Sequence, residues 1–291
     1  MSHIVVTLVS GDIMNFTETL RSHEDDTHVF FAGDWHGDAS WGRKAIIHAA
    51  NSGVSLILHV GDFGVWGDGG AKKYIRSLEA CASANNVDIW VTGGNHENWD
   101  YIYAKWDNPK RCDEDGSPLP FQLSNHIWFF PRPYRFNLGG KRFLSMGGGA
   151  SVDFPWRTEG RSWWPREAIT DEEVAAASVS EADVLIVHES PDIEYATHPV
   201  QKILATNPIG FPQEALTYSA ASRRQVSRVV DAVRPELLIH GHMHVFGARS
   251  VAFDEDRVLS VISLDCEYSK VNLFNVEIST LLGNPEPIPY N

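Results

Sequence analysis

The order of strand-like and helix-like segments in the first half of the chain most constrains its fold. Apolar runs at 29–32, 56–60 and 87–91 have strand length, and each stops at glycine followed by a polar residue: Gly33-Asp34, Gly61-Asp62 and Gly93-Gly94-Asn95. Between them, 41–51 sets Ala45, Ile46, Ala49 and Ala50 on one helical face, and 71–84 does so with Tyr74, Ile75, Leu78 and Cys81 or Ala82. A β-α-β-α-β order of this kind predicts parallel strands joined by right-handed crossovers, and so an α/β protein.

Farther along, the runs 127–130, 134–138 and 142–146 read as short strands, with Asn137-Leu138-Gly139-Gly140 as a hairpin turn. The runs 184–187 and 237–239 return to the buried-strand type, the second after a helix over 219–233. Runs 258–264 and 271–278 read as a closing antiparallel pair. The expectation is one domain over 1–291, two facing mixed sheets with helices outside, and a Pro-rich tail or strap over 284–291. Two irregular insertions, about 99–125 and 151–170, are rich in Trp, with several Arg and Pro. Long loops in compact domains are functional or disordered, and tryptophan-rich segments are poor candidates for disorder. These two are expected to form a rim or lid over a pocket.

Composition excludes some roles. The apolar stretches, 4–9 and 184–187 among the longest, are strand-sized, too short to span a bilayer, and the N-terminus lacks the pattern of a signal peptide. Cys81, Cys112 and Cys266 are an odd number without close spacing, which fits neither a disulfide framework nor a thiolate metal site and suits a reducing cytoplasm. A net charge of −14, with no block of Lys and Arg, disfavours stable binding of duplex nucleic acid. It does not disfavour a phosphate substrate, because two divalent cations held by two Asp leave about two positive charges in the site. Monomer and dimer both remain open.

The polar residues at the strand ends carry the chemistry. Asp34 and His36 lie two apart, as do His242 and His244, so on extended backbone each pair projects to one side. With Asp62, Asn95 and His188 they form a mixed nitrogen and oxygen donor set. Such a set suits Mn first, with Fe, Zn, Co or Ni possible, better than Ca or Mg. With only two obvious carboxylates among so many donors, a paired site in which one carboxylate bridges is implied. Gly33, Gly61, Gly94 and Gly241 adjoin the donors, where small residues permit sharp turns and close approach.

The five strings Asp34-Trp35-His36, Gly61-Asp62, Gly94-Asn95-His96-Glu97, His188 and Gly241-His242-Met243-His244, in that order, resemble the signature of the calcineurin-like metallophosphoesterases. The resemblance spans 34–244 and fills every ligand position. It implies a four-layer αββα sandwich with a dinuclear centre at the carboxyl ends of the strands. By that resemblance Asp34, His36 and His244 hold one metal, Asn95, His188 and His242 the other, and Asp62 bridges. His96 becomes the general acid or phosphate-stabilising residue. It would act protonated, its pKa raised by nearby negative charge, with Glu97 or Asp68 as the orienting carboxylate.

The second string continues as Gly61-Asp62-Phe63-Gly64-Val65-Trp66-Gly67 and lacks the Asp-Arg pair of the family's protein Ser/Thr phosphatases. The segment 147–153, with Arg157, Arg161 and Trp163-Trp164-Pro165, resembles small bacterial and phage members that act on small phosphodiesters, nucleotide ones included. The expected activity is hydrolysis of small, nucleotide-type phosphodiesters by metal-activated hydroxide. Phosphomonoesterase and nuclease activity are alternatives, as is a non-catalytic interaction module on the same fold. Arg157 and Arg161 suit either a phosphate clamp or surface ion pairs, and Trp163 either a stacked base or lid packing. His59 and His240 read as core residues or residues behind the ligands, His126 and His198 as loop residues, and Phe63 and Trp66 as pocket wall.

Overall fold

Strands β1 (His28–Ala32), β2 (Leu56–His59) and β3 (Asp88–Val91) lie side by side and parallel, with Phe30 opposite Ile57 and Leu58 opposite Trp90. Helices α2 (Ala39–Asn51) and α3 (Gly69–Asn85) cross between them, as the alternating pattern requires. Each starts on a capping aspartate, Asp38 accepting from Trp41 N–H and Asp68 from Ala71 N–H. This computed structural model describes residues 16–108, 111–114, 116–269 and 271–288. The apolar run 4–9 and the tail end 289–291 lie outside the described residues.

Strand β4 (Phe121–Ser124) and β5 (Ile127–Phe129) extend this sheet beyond β3, β5 parallel and β4 antiparallel. The second sheet begins with the hairpin of β6 (Tyr134–Leu138) and β7 (Lys141–Met146), turned at Gly139 and Gly140. Both turn glycines have φ above zero, the conformation a two-residue hairpin turn demands. Strands β8 (Val184–Val187), β9 (Leu237–His240), β10 (Gly247–Ala252) and β11 (Val258–Ser263) complete the order β10-β11-β9-β8-β7-β6. Strand β12 (Leu273–Glu277) and β13 (Leu282–Glu286) return to the first sheet, giving β13-β12-β1-β2-β3-β5-β4.

The expected closing pair therefore does not exist. Strand β11 pairs with β10 and β9, whereas β12 pairs antiparallel with β1 and β13. The two runs join opposite sheets, β11 covering the edge of β9 and β12 that of β1, with β10 and β13 outside them. The start of the expected tail is sheet as well, since β13 takes up Leu282–Glu286.

Alternation along the strands sorts the core into layers. Val29, Phe31, Leu56, Leu58 and Trp90 face Val184, Ile186, Leu237 and Ile239 across the space between the sheets. Phe30, Ile57, Ile89 and Val91 point outward against α2, α3 and α4 (Trp99–Trp106). On the far side Leu185, Val187 and Leu238 pack on α5 (Asp171–Ala177) and α7 (Gln213–Val233). Helix, sheet, sheet, helix is thus the order of layers, as anticipated. Phe16 of α1 (Phe16–Ser22) plugs the inter-sheet core against Trp90, Trp128 and Phe130. Helix α7 starts six residues before the expected 219, and α6 (His198–Thr206) precedes it. The insertion 99–125 is partly regular, holding α4 and β4, while 151–170 holds two single 3-10 turns, Phe154–Trp156 and Pro165–Glu167.

Candidate metal centre

Asp34 and His36 follow β1, Asp62 follows β2, Asn95 and His96 follow β3, His188 follows β8, and His242 and His244 follow β9. These are neighbouring parallel strands within each sheet, so their carboxyl ends deliver the side chains to one rim. Backbone bonds tie the loops together: Asp34 N–H donates to Gly61 O at 2.9 Å and His36 N–H to Asp62 O at 2.8 Å.

The convergence does not use extended backbone, as the two-residue spacing had suggested. Asp34, His36, Asp62, His242 and His244 all have φ between 44° and 67°, in the left-handed region. Each such residue costs about 1–3 kcal/mol, and a cluster of them at one rim is the signature of a functional constraint. Close approach explains two of the glycines. A Cβ on Gly94 would collide with Asp62 Oδ1, and one on Gly241 with Asp34 Oδ2.

Two groups of donors share Asp62. Donor atoms of Asp34, His36, Asp62 and His244 lie within 4.8 Å of one another. On the other side, Asn95 Oδ1 is 2.9 Å from both His188 Nε2 and His242 Nδ1. Asp62 turns Oδ2 to His36 Nε2 at 3.4 Å and Oδ1 to His188 Nε2 at 3.3 Å. One carboxylate thus faces both groups, the arrangement a bridging ligand needs.

Charge at the centre fits divalent cations. Asp34 and Asp62 are 0% and 1% exposed, and among the described residues all their ion pairs are to histidine. Burial opposes charge on His36, yet Asp62 and Glu267 outweigh it and raise the imidazole to about 11. Burial is likewise overcome at His244, raised to about 10 chiefly by Asp34, and at His188, raised to about 9 chiefly by Asp62. The reciprocal effect holds both aspartates below their usual range against burial. A field that retains protons on three imidazoles is one that a metal cation would satisfy instead.

His96 departs from expectation. Burial pushes it down to about 4 against the upward pull of Asp62, with Arg157 and His36 adding to the downward push. Neither suggested carboxylate orients it. Asp68 is spent capping α3, and Glu97 accepts from Phe63 N–H at 2.7 Å, Gly64 N–H at 3.0 Å and Gly94 N–H, clasping the loops after β2 and β3. Burial, helped by Asp62, pushes Glu97 up to about 7. The neighbour of His96 is Arg157, with Nη2 at 3.0 Å from Nε2 and Nη1 at 3.3 Å from Nδ1. Asp153 fixes that guanidinium by an ion pair of 2.6 Å to Nε. Arg157 thus pairs with a carboxylate and lies beside His96 at the rim of the centre.

Arg161 is exposed beside the same pair, lining a cavity with Trp66. Trp163 does not suit base stacking. Its Nε1–H donates to Glu167 at 2.9 Å and its ring packs on Phe154, both within the lid, and lies near Tyr218 of α7, so it holds the lid's two turns together against the body. Phe63 is buried against Trp35 and His59, whereas Trp66 lies at the wall and donates to His96 O at 2.7 Å. His59 and His240 are fully buried, and burial holds them at about 3 and about 4. His126 pairs with Asp88 and His198 with Gln201, both away from the centre.

Several contributors were missed in the sequence. Glu267, in the loop after β11, holds His36 Nδ1 at 2.8 Å. Ser151 Oγ accepts from Asn95 Nδ2 at 2.9 Å and donates to buried Glu167 at 2.8 Å, linking the lid to a donor of the centre. Glu189 sits 3.6 Å from His242 Nε2, and its place directly after His188 was a usable clue.

The sequence model described as "Calcineurin-like phosphoesterase" matches residues 27–246. The chain belongs to this family. Membership makes this phosphoesterase a hydrolase of phosphoesters, and its Asp, His, Asp, His group suits divalent metal. Among solved structures, TT1561 of Thermus thermophilus is similar with a TM-score of 0.54 and 9% identity, over 90% of this chain and 99% of that one. At that identity the likeness shows the shared fold. A dimetal phosphatase from Danio rerio matches at 12% identity and a TM-score of 0.46, over 86% of this chain and 92% of its own. An archaeal phosphodiesterase matches at 13% and 0.39, over 88% and 97%. No curated protein sequence matches the phosphoesterase significantly. Among its described residues, no helix is long and apolar enough to cross a membrane.

Proposed function

We propose that this phosphoesterase is a dinuclear metal-dependent phosphodiesterase acting on small, nucleotide-type diesters in the cytoplasm. The observation that carries the reading is Asp62, whose two oxygens face His36 and His188 from opposite sides. Asp34, His36 and His244 would hold one ion, Asn95, His188 and His242 the other, with Asp62 shared and manganese the first choice for this donor set. Bound ions supply activation of water and neutralisation of phosphate charge.

The chain's own groups do the rest. Asp34 and Asp62 are sealed from solvent, while His244 is 45% exposed, so substrate approaches from that side. Arg157, braced by Asp153, offers N–H donors beside His96, and together they would hold the non-bridging phosphate oxygens. With its pKa near 4, His96 serves as a neutral hydrogen-bonding group rather than an imidazolium. Cys81, Cys112 and Cys266 are all free thiols, which supports a reducing compartment.

The test is hydrolysis of bis(4-nitrophenyl) phosphate and 4-nitrophenyl phosphate by metal-stripped protein, before and after adding Mn. Manganese-restored cleavage favouring the diester is expected. Preference for the monoester moves the assignment to a phosphomonoesterase. No cleavage of either, across Mn, Fe, Zn, Co and Ni, refutes the enzymatic reading.

A further inference from the structure

We infer that the substrate is an unsymmetrical diester whose apolar arm lies between α6 and α7 and whose polar arm lies under the 151–170 lid. The inference rests on the phosphodiesterase reading and narrows its substrate class.

Two cavities meet at His96 and Arg157, which line both. The larger, about 610 Å³, runs from Asp62, Asn95 and His242 outward between α6 and α7. Its wall is more apolar than polar: Ile203 and Leu204 of α6, Phe211 of the connecting loop, Leu216 of α7 and Met243 beside the donors. Asn207, Thr217 and the exposed Arg224 are interspersed among them. On α7 the lining residues Gln213, Leu216, Ala220 and Arg224 recur at helical spacing, a stripe separate from the face that Ala215, Val226 and Val230 bury. Arg223 also lines this cavity, but its charge is taken by Asp192 at 3.3 Å. Ile209 is 69% exposed, and Trp156, 63% exposed, stacks on Phe211. Scattered exposed hydrophobes need no explanation, but a largely apolar cavity with a few polar groups, opening onto the metal centre, is the form of a ligand site.

The smaller cavity, about 440 Å³, lies on the other side of the His96–Arg157 pair. Its lining is of another kind, with Trp66, Asn98, Arg161 and Ser162. Among the described residues the Arg161 guanidinium makes no ion pair or side-chain hydrogen bond. A hydroxyl-rich or anionic group could engage it while lying against Trp66.

A monoester would fill one of these spaces, whereas a diester has a substituent for each. Their unlike walls make the two substituents unlike.

The experiment measures competitive inhibition by alkyl phosphates from methyl to hexyl, and by ribose 5-phosphate, with bis(4-nitrophenyl) phosphate as the reporter substrate. Full burial lowers Ki about fourfold per methylene and half burial about twofold, so hexyl phosphate should bind at least about thirtyfold tighter than methyl phosphate. Leu216→Asp, and independently the milder Ile203→Ser, should flatten that series. Arg161→Ala should raise the Ki of ribose 5-phosphate relative to hexyl phosphate about tenfold. A flat alkyl series in the parent protein, or a slope that survives both variants, overturns the apolar arm. An unchanged ribose 5-phosphate ratio overturns the polar arm. If the reporter is not hydrolysed with any metal, the phosphodiesterase reading fails instead. The alkyl series can then still be read by calorimetry on the Mn-supplemented protein, which separates the two failures.

Discussion

Removing Glu267 should weaken metal binding without touching a metal ligand. Its Oε2 lies 2.8 Å from His36 Nδ1, on the side of the ring away from Asp62. That contact fixes the tautomer, so that Nε2 presents its lone pair toward the centre. Loss of such a partner costs 10–100-fold in metal affinity, about 1.4–2.7 kcal/mol. Glu267 is 23% exposed, so water can replace part of the bond. Glu267→Gln, which retains an acceptor, should cost about tenfold and Glu267→Ala about thirtyfold. The same carboxylate helps hold the competing proton that raises His36 to about 11. Metal must expel that proton, so Mn affinity should rise with pH in the parent protein, and more shallowly in the variants. The assay is calorimetric titration of Mn into stripped protein at pH 7 and 9, with Mn-dependent diester hydrolysis as a second readout. At saturating Mn the turnover should return toward the parent value, because Glu267 stands behind His36. Unchanged Mn affinity in both variants, with the fold intact by circular dichroism, refutes His36 as a ligand held by Glu267.

Three other outcomes follow from the same geometry. Asp62→Asn leaves a neutral group where a shared carboxylate is needed and should lower kcat/KM about 10²–10³-fold or more, read at saturating Mn. His96→Ala should slow hydrolysis by a similar factor for 4-nitrophenyl and poorer phenyl leaving groups, since an imidazole held near 4 is not an acid at neutral pH. A loss that grows as the leaving group worsens would restore the general-acid role. His59 is held neutral by burial at about 3, below its ordinary 6.5, so the unfolded chain takes up a proton that the fold refuses. That contribution is complete above pH 6.5 and lost as pH falls toward 3, reaching about 2 kcal/mol at pH 5. Denaturant unfolding at pH 7.5 and 5 should therefore show a smaller acid loss in His59→Gln than in the parent protein.

The strand-end residues were legible because parallel strands deliver their carboxyl ends to one rim whatever the loops between them do. Asp34, Asp62, Asn95, His188 and His242 needed only that topology. Strands β11 and β12 were legible as strands but their partners were not, because apolar runs of that length fit either sheet and the choice is made by distant residues. The link between β11 and β12 shows the consequence: it folds back on β1, where Asn272 Oδ1 accepts from Trp35 at 3.0 Å and Trp41 at 2.8 Å and its amide donates to Gly33 O. Glu267 reaches His36 only because of that fold-back, so no local pattern could have marked it. The lid obeys the same logic. Arg132, buried and paired with Glu173 at 2.8 Å, also donates to the carbonyls of Arg166 and Glu167, and so seats the segment that carries Arg157 and Arg161. Motif positions thus locate the reactive centre, while residues remote in sequence decide which cavities open onto it. Relatives that share every strand-end residue should therefore differ in substrate where they differ in 151–170 and in the α6–α7 connection, and agree in metal.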